Sequence, residues 1–402
     1  MSRLLIENIL DRKETIMNEQ ITTLASLTID GKGSYGIGAS AVPFSKDLYT
    51  YLRITDIKDD GTLNLQDLKS VDDVKASEYL LKPNDIVFAR TGASTGRNYF
   101  YDGTDGEFVY AGFLIKFSID EKKVNPKYIK YFCQSKQYKD WINSFNTGST
   151  RGNINAQTLG KMPIPLIERK TQDALVSIIS SIDEKIKKNN AINNNLEQQA
   201  QAIFKSWFID FEPFSNRKPS DWSVSTLGNV SIMGAGGDKP QNVSPRKTDL
   251  YEYPIYSNGL SNEGLYGFTD NPKVSEESVT VSARGTIGFV CLRHIPYVPI
   301  VRLVTLIPKT EIISAKYLYL WLKQLHIIGT GTTQQQLTVP DFQKTEILVP
   351  SKEIVTLFTA TVEPIFKKIW ANQNENEKLS SLRDTLLPKL MSGELDVSDI
   401  EL

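Results

Sequence analysis

Cysteine and histidine are almost missing from this 402-residue chain, with two of each. Cys133 and Cys291 lie far apart, which excludes a disulfide framework or a cysteine metal cluster and points to a reducing compartment. His294 and His326 have no ligand spacing to another His or to a Cys, so ordinary scaffold positions are expected for both and no metal site. Long apolar runs are missing too. The opening stretch is broken by Glu7, Asp11, Arg12, Lys13 and Glu14, so no signal-type core forms. No segment approaches the ~20 apolar residues that span a bilayer, and a soluble, cytoplasmic protein is expected. Positive charge is also scarce. The net charge is −1, and setting aside Glu394, Asp396, Asp399 and Glu401 near the C-terminus leaves only +3. A broad electrostatic grip on nucleic acid is therefore excluded. Any such binding must use local patches, or partner chains that supply more of the phosphate contacts.

What the chain does have is an internal repeat. Sliding the sequence by 183 positions lays Gly148 on Gly331, Thr150 on Thr333, Lys161 on Lys344, Ile164 on Ile347, Asn189 on Asn372, Asn193 on Asn376 and Leu196 on Leu379. Upstream, Pro126-Lys-Tyr matches Ala315-Lys-Tyr at offset 189. Further upstream, Val87-Phe-Ala-Arg-Thr-Gly matches Val281-Ser-Ala-Arg-Gly, with one extra residue in the first copy. These matches occur in order, which duplication explains.

The front of each copy is β-rich. Tyr49–Ile54, Asp85–Arg90 and Glu107–Phe117 are short, β-branched or aromatic, and bounded by Gly, Asp and Asn; Tyr253–Tyr256, Ser278–Ala283 and Ile300–Ile307 answer them. A helix follows at Tyr128–Phe132 or Tyr317–Leu322. The rear of each copy carries a heptad seam: Leu175, Ile179, Ile182, Ile186, Asn189, Asn193, Leu196, Ala200, Ile203, Trp207 in one, and Phe358, Val362, Ile365, Ile369, Asn372, Asn376, Leu379, Arg383, Leu386, Leu390 in the other. Pro364 predicts a kink and Gly393 a helix end. Asparagines in a seam fix register at a cost in stability, and an antiparallel pairing sets Asn189 against Asn376 and Asn193 against Asn372. Helices of about 35 residues would make a rod near ~50 Å.

The predicted fold is α+β: two globular domains separated by two long helices that form an antiparallel coiled coil, with a pseudo-twofold internal repeat. The expected boundaries are an N-terminal helical segment over 1–19, domain one over 20–168, helix one over 169–210, domain two over 211–350, helix two over 351–391 and an acidic tail over 392–402.

This order resembles the specificity (S) subunits of type I restriction–modification enzymes over nearly the whole chain. The stretches that carry the resemblance are Gly148-Ser-Thr with Leu159–Pro165, Ile182-Asp-Glu-Lys-Ile, and Leu196–Phe208 ending in Lys205-Ser-Trp-Phe. In the second copy they are Tyr253-Pro-Ile-Tyr, Gly264-Leu-Tyr-Gly-Phe, Gly331-Thr-Thr-Gln, Ile347–Pro350 and Leu379–Gly393. The resemblance implies a DNA-binding, non-catalytic subunit in which each globular domain is a target-recognition domain that reads half of a bipartite double-stranded DNA site. It implies helices that set the gap and dock two methyltransferase (M) subunits, with restriction/translocase (R) subunits as further partners. S-adenosylmethionine and ATP/Mg would belong to those partners, with no cofactor on this chain.

Arg90 and Thr91 on one tight turn, and Arg284 and Thr286 on its counterpart, are candidates for DNA contact, since Arg binds guanine edges or phosphate. A solvated β-turn is the plain alternative. The loops with Ser149, Thr150, Arg151 and Asn153, and with Thr333, Gln334 and Gln335, are rich in donors and acceptors and could equally be architectural. Arg97, Asn98, Ser257 and Asn258 complete the candidates. A coiled-coil adaptor with two protein-binding domains is the alternative function. A nucleotide enzyme has little support. Gly31-Lys-Gly-Ser-Tyr-Gly36 is a formal GxGxxG match, but Ile37–Pro43 is too rich in Gly and Pro for the helix that must follow.

Overall fold

The computed structural model describes residues 20–65, 67–145, 152–329 and 336–397. The expected N-terminal helical segment, 1–19, lies outside the described residues, as do Asp399 and Glu401. The chain forms two compact units. The first runs to Lys187 and takes in the chain from Asn376 onward; the second is Lys188–Glu375. Each unit therefore contains one globular domain and a portion of both long helices.

The first unit is built on a four-stranded sheet in the order Ser34–Tyr35, Leu114–Ser118, Asp85–Ala89, Asn98–Tyr101. Asp85–Ala89 is buried along its whole length. Ile86 and Phe88 pack toward the helices, while Val87 and Ala89 pack against Tyr99, Tyr101 and Phe108. A strand covered on both faces needs no polar alternation, which is why residues 86–89 read as continuously apolar. A second sheet has the order Ala41–Pro43, Lys69–Val71, Tyr49–Leu52, Phe108–Tyr110, its last pair parallel.

The second unit repeats the plan. Its main sheet runs Ser231–Ala235, Val304–Pro308, Ser278–Val281, Val290–Arg293. Its other sheet runs Leu265–Thr269, Tyr253–Tyr256, Val298–Pro299, again with the last pair parallel. A short antiparallel pair precedes the long helices in each unit, Gln20–Thr23 with Pro163–Leu166 and Ser223–Thr226 with Glu346–Val349. A helix ties into each pair by one tyrosine. Tyr128 Oη donates to the Pro165 carbonyl at 2.6 Å, and Tyr317 Oη to that of Leu348 at 2.7 Å. Asn125 and Ser314 cap these helices, each accepting from a backbone N–H of the first turn.

One close approach shows the repeat as physics. A Cβ on Gly160 would sit 3.3 Å from Ala25 Cβ; a Cβ on Gly228 would sit 3.2 Å from Gln343 Cβ. Gly228 stands at the repeat position of Ala25, and Gln343 at that of Gly160. The same contact is kept tight with the small residue on opposite sides.

The long helices are Arg169–Phe208 and Lys352–Met391, 40 residues each, or about 60 Å of helix. In the first unit Arg383 Nη1 donates to Asp183 Oδ1 at 3.2 Å. In the second, Asn372 meets Asn193 and Phe358 meets Phe204, with ring centroids 5.9 Å apart. Residue number rises in one helix as it falls in the other, so the pairing is antiparallel. Leu175, Ile179, Ile182 and Ala200 are buried, as are Phe358, Val362, Leu386 and Leu390, all on the predicted seam. The second helix continues through Pro364 and ends at Met391, with Gly393 at φ +72° just beyond. The acidic stretch that follows is partly core, because Leu395 and Val397 alternate with its carboxylates and are buried.

Candidate nucleic-acid interface

At one end of each main sheet a hairpin and a strand-to-strand turn come together. In the first unit Ala89 closes the hairpin: its N–H donates to Arg97 O at 2.8 Å and its carbonyl accepts from Gly96 N–H at 2.9 Å. Ser282 makes the same two bonds in the second unit, with Phe289 and Gly288, at 2.9 and 3.0 Å. The repeat position of Ala89 is therefore Ser282, that of Arg90 is Ala283 and that of Thr91 is Arg284. Sequence matching, which aligned the two Ala-Arg pairs, is corrected by one residue here. The physical reason is that the second hairpin is a residue shorter, and backbone bonding sets the register.

The shift explains why the two arginines differ. Arg90 is half-buried, its guanidinium carbon 5.2 Å from the Tyr35 ring centroid. Its Nε is buried without a hydrogen-bond partner among the described residues. Arg284 is exposed and donates to Gln336 Oε1 at 3.1 Å; Thr286 is exposed beside it. The entry loops land on these hairpins. Ile154 N–H donates to Arg90 O at 2.9 Å, and Leu337 N–H to Ala283 O at 3.0 Å. Thr91 bridges to Asn153, which is exposed. Ser149, Thr150, Arg151, Thr333, Gln334 and Gln335 lie outside the described residues.

The remaining candidates have structural partners. Arg97 spends its fork on Asp59, at 2.7 and 3.3 Å. Asn98 is buried and donates to Cys133 O at 3.2 Å. Ser257 N–H donates to Gly264 O at 2.8 Å. Asn258 uses both ends of its amide: Oδ1 accepts from Ala283 N–H at 2.7 Å and Nδ2 donates to Val301 O at 2.6 Å.

Sequence reasoning missed Tyr35, Phe113, Val301 and Arg302, which border the same turns. Phe113 is 57% exposed. Val301 and Arg302 both hold positive φ, 53° and 60°, a conformation that nothing in a Val-Arg dipeptide announces. Charge accounting favours the same place. Arg53, Arg97, Arg169, Arg293 and Arg383 each pair with a carboxylate. Arg90, Arg217, Arg246, Arg284 and Arg302 have none among the described residues, and three of these five border the two hairpins. On a chain with no excess positive charge, the unpaired guanidiniums that border the hairpins, Arg90, Arg284 and Arg302, are the local patches available for phosphate or base edges.

The GxGxxG stretch is explained by packing. A Cβ on Gly36 would sit 2.2 Å from Tyr110 O, and at the matching position one on Gly236 would sit 2.7 Å from Ile300 N. Strand Ala41–Pro43 follows instead of a helix. His294 stacks on Trp370 with centroids 4.1 Å apart. Burial first, then Lys316 and Arg293, push its pKa down to about 4. His326 lines a cavity of about 250 Å³ with Leu325, Asp341 and Phe342. Among the described residues no group of three or more His, Cys, Asp or Glu is arranged to hold a metal, and no helix is long and apolar enough to cross a membrane.

The family model for the type I restriction modification DNA specificity domain matches twice, over residues 46–198 and 219–381. A similar relative is the type I restriction enzyme HindI specificity subunit of Haemophilus influenzae, 25% identical over 404 residues, covering 78% of this chain and 87% of the relative. Another is the MjaIX specificity subunit of Methanocaldococcus jannaschii, 25% identical over 320 residues, covering 70% and 72%. Among solved structures, the S subunit of a type I restriction-modification system from M. genitalium shares the fold at TM-score 0.55 and 19% identity, over 93% of this chain and 96% of that one.

Proposed function

The chain belongs to the type I restriction modification DNA specificity domain family, and we propose that each of its globular units reads one half of a bipartite DNA site. The observation that carries this reading is the pair of equivalent hairpins. The two units keep one main-sheet order and the same pair of hairpin-closing backbone bonds, yet they present different side chains at the same strand ends. Arg90, Thr91 and Asn153 in one unit, and Arg284 and Thr286 in the other, are the proposed contacts. The entry-loop residues Ser149, Thr150, Arg151, Thr333, Gln334 and Gln335 remain proposals of the same kind. Arg97, Asn98, Ser257 and Asn258 are assigned to holding these turns in place.

The long helices are proposed to set the gap between half-sites and, with the short strand pairs, to dock two methyltransferase subunits. A repeated apolar surface supports two identical partners. Ile21, opposite Pro165, is 73% exposed, and Val224, opposite Leu348, is 59% exposed. Ile29 and Ile232 are a second matched pair, at 66% and 63%. Single exposed apolar residues need no explanation, but the same exposure kept at matching positions of a duplication has one in a shared ligand. All chemistry is assigned to partners: methyl transfer from S-adenosylmethionine to the M subunits, and ATP/Mg-dependent work to any R subunits. This chain is proposed to be non-catalytic.

The test is to co-express the chain with its methyltransferase subunit and map methylated adenines by sequencing. A single bipartite motif is expected. Methylation with no bipartite motif overturns the reading and favours an adaptor that binds proteins.

A further inference from the structure

We propose that Phe113 and Arg302 are specificity-determining residues at which the two reading surfaces diverge: Phe113 an apolar contact to the 5-methyl group of thymine, Arg302 a guanidinium fork on the edge of guanine. This rests on the DNA-reading function above and names the side chains that make the half-sites different.

The two residues occupy one position of the repeat. Leu114 O accepts from Gly36 N–H at 3.2 Å, and Leu303 O accepts from Gly236 N–H at 2.8 Å, the two glycines being equivalent. Phe113 and Arg302 are the residues just before, each at the tip of a turn and each exposed. In both units the turn is tied to the neighbouring hairpin. Phe113 O accepts directly from Arg90 N–H at 3.1 Å. In the second unit Asn258 spans the corresponding gap, accepting from Ala283 N–H and donating to Val301 O. Turn and hairpin thus form one surface, holding Tyr35, Arg90 and Phe113 in the first unit and Arg284 and Arg302 in the second.

Two features mark these tips as more than solvated turns. In the second unit Val301 and Arg302 are both left-handed, an outlier for a β-branched valine. Such strain persists only where neighbours enforce it. Here Val301 N–H is bound to Gly237 O at 2.8 Å and Arg302 N–H to Gly236 O at 2.7 Å, with Asn258 on the Val301 carbonyl. The backbone is fixed while the guanidinium of Arg302 has no carboxylate partner among the described residues. In the first unit, exposed Phe113 adjoins Arg90, whose buried Nε lacks a partner. A buried donor left open calls for an explanation, and an acceptor brought by DNA, reached by a small shift of the side chain, supplies one. Chemistry then separates the tips. A guanidinium matches the two acceptors of guanine, whereas a phenyl ring has no donor for base edges and meets the methyl of thymine as an apolar contact.

The experiment uses the full chain with its methyltransferase subunits and maps methylated adenines for R302A, F113A and, as a control on another exposed arginine, R217A. Thermal melting by circular dichroism checks that each variant folds as the parent does. For R302A, the preference for guanine at one position of one half-site is expected to fall about tenfold or more. F113A is expected to relax a thymine in the other half-site. The opposite half-site and the gap stay fixed in each case, and R217A leaves the motif unchanged. Duplexes with uracil in place of that thymine should bind the parent more weakly and F113A without penalty. Folded R302A and F113A that methylate the parental motif with unchanged stringency overturn the inference while leaving the DNA-reading function standing. A parental complex that methylates no bipartite motif overturns both.

Discussion

Asn372 is 1% exposed and donates its side-chain amide to Asn193 Oδ1 at 2.8 Å, in the helix pair of the second unit. Asn189, equally buried, donates to Glu375 Oε2 at 2.8 Å. Asn189 and Asn372 are repeat positions of each other, so both helices place a buried amide at the same point of the seam. Replacing Asn193 and Asn372 together with Leu removes one buried and one half-buried amide and adds apolar contact. The double variant is expected to melt several degrees higher. It is also expected to lose uniqueness of pairing, visible as mixed association states in light scattering. A single Asn372→Leu change takes the donor from Asn193 Oδ1, leaving Asn193 only its bond to the Ile369 carbonyl, and should instead destabilise, by about 1–3 kcal/mol.

The glycine exchange between repeats is testable as a swap. Gly160→Gln introduces into the first unit the bulk that Gln343 has in the second, against Ala25, and should cost about 1–3 kcal/mol by overpacking. Adding Ala25→Gly recreates the arrangement of Gly228 and Gln343. Urea unfolding of the double variant is expected to recover most of the loss. Simple additivity of the two substitutions would mean that the two contacts are not equivalent.

Much of this was legible in the sequence, and the failures have physical causes. The repeat, the two long helices and their seam follow from periodicity, because burial in a helix pair imposes a spacing that residues must obey; the antiparallel sense rests on where the seam asparagines would face one another. Gly393 was legible because a left-handed helix end favours glycine. The hairpin register was not. Ala89-Arg90 and Ala283-Arg284 match as letters, but a loop one residue shorter moves Arg284 to the place of Thr91. Tyr35, Phe113 and Arg302 were also hidden. They become neighbours of Arg90 and Arg284 through strand pairing across dozens of residues, which no local pattern records. Asn258 looked like a DNA contact because it is polar in a loop, while its amide is used to join two backbones.

The matched apolar positions give a stoichiometric prediction. Ile21→Asp and Val224→Asp should each remove one methyltransferase subunit from the complex, and the double substitution both. Native mass spectrometry of the co-purified complex reads this directly. Full occupancy in the double variant would place docking elsewhere.

His294 gives the second unit an acid sensitivity. Its folded-state pKa, pushed down to about 4, lies below the ordinary value near ~6.5. Protonation therefore favours the unfolded chain. The contribution is fully present above about pH 6.5 and is lost as pH falls toward 4. Urea midpoints measured at pH 7 and pH 5 should differ less in His294→Phe, which keeps a ring on Trp370, than in the parent. An equal difference in both proteins would assign the acid sensitivity to other groups.

The central claim, two readers on a helical ruler, is tested most directly by the gap in the methylated motif after a heptad is inserted at matched positions of both long helices. Seven residues add about 10.5 Å of helix, close to three base pairs at ~3.4 Å each. The expected result is a gap longer by about three base pairs with both half-sites unchanged. A gap that stays the same, or half-sites that change, would contradict it.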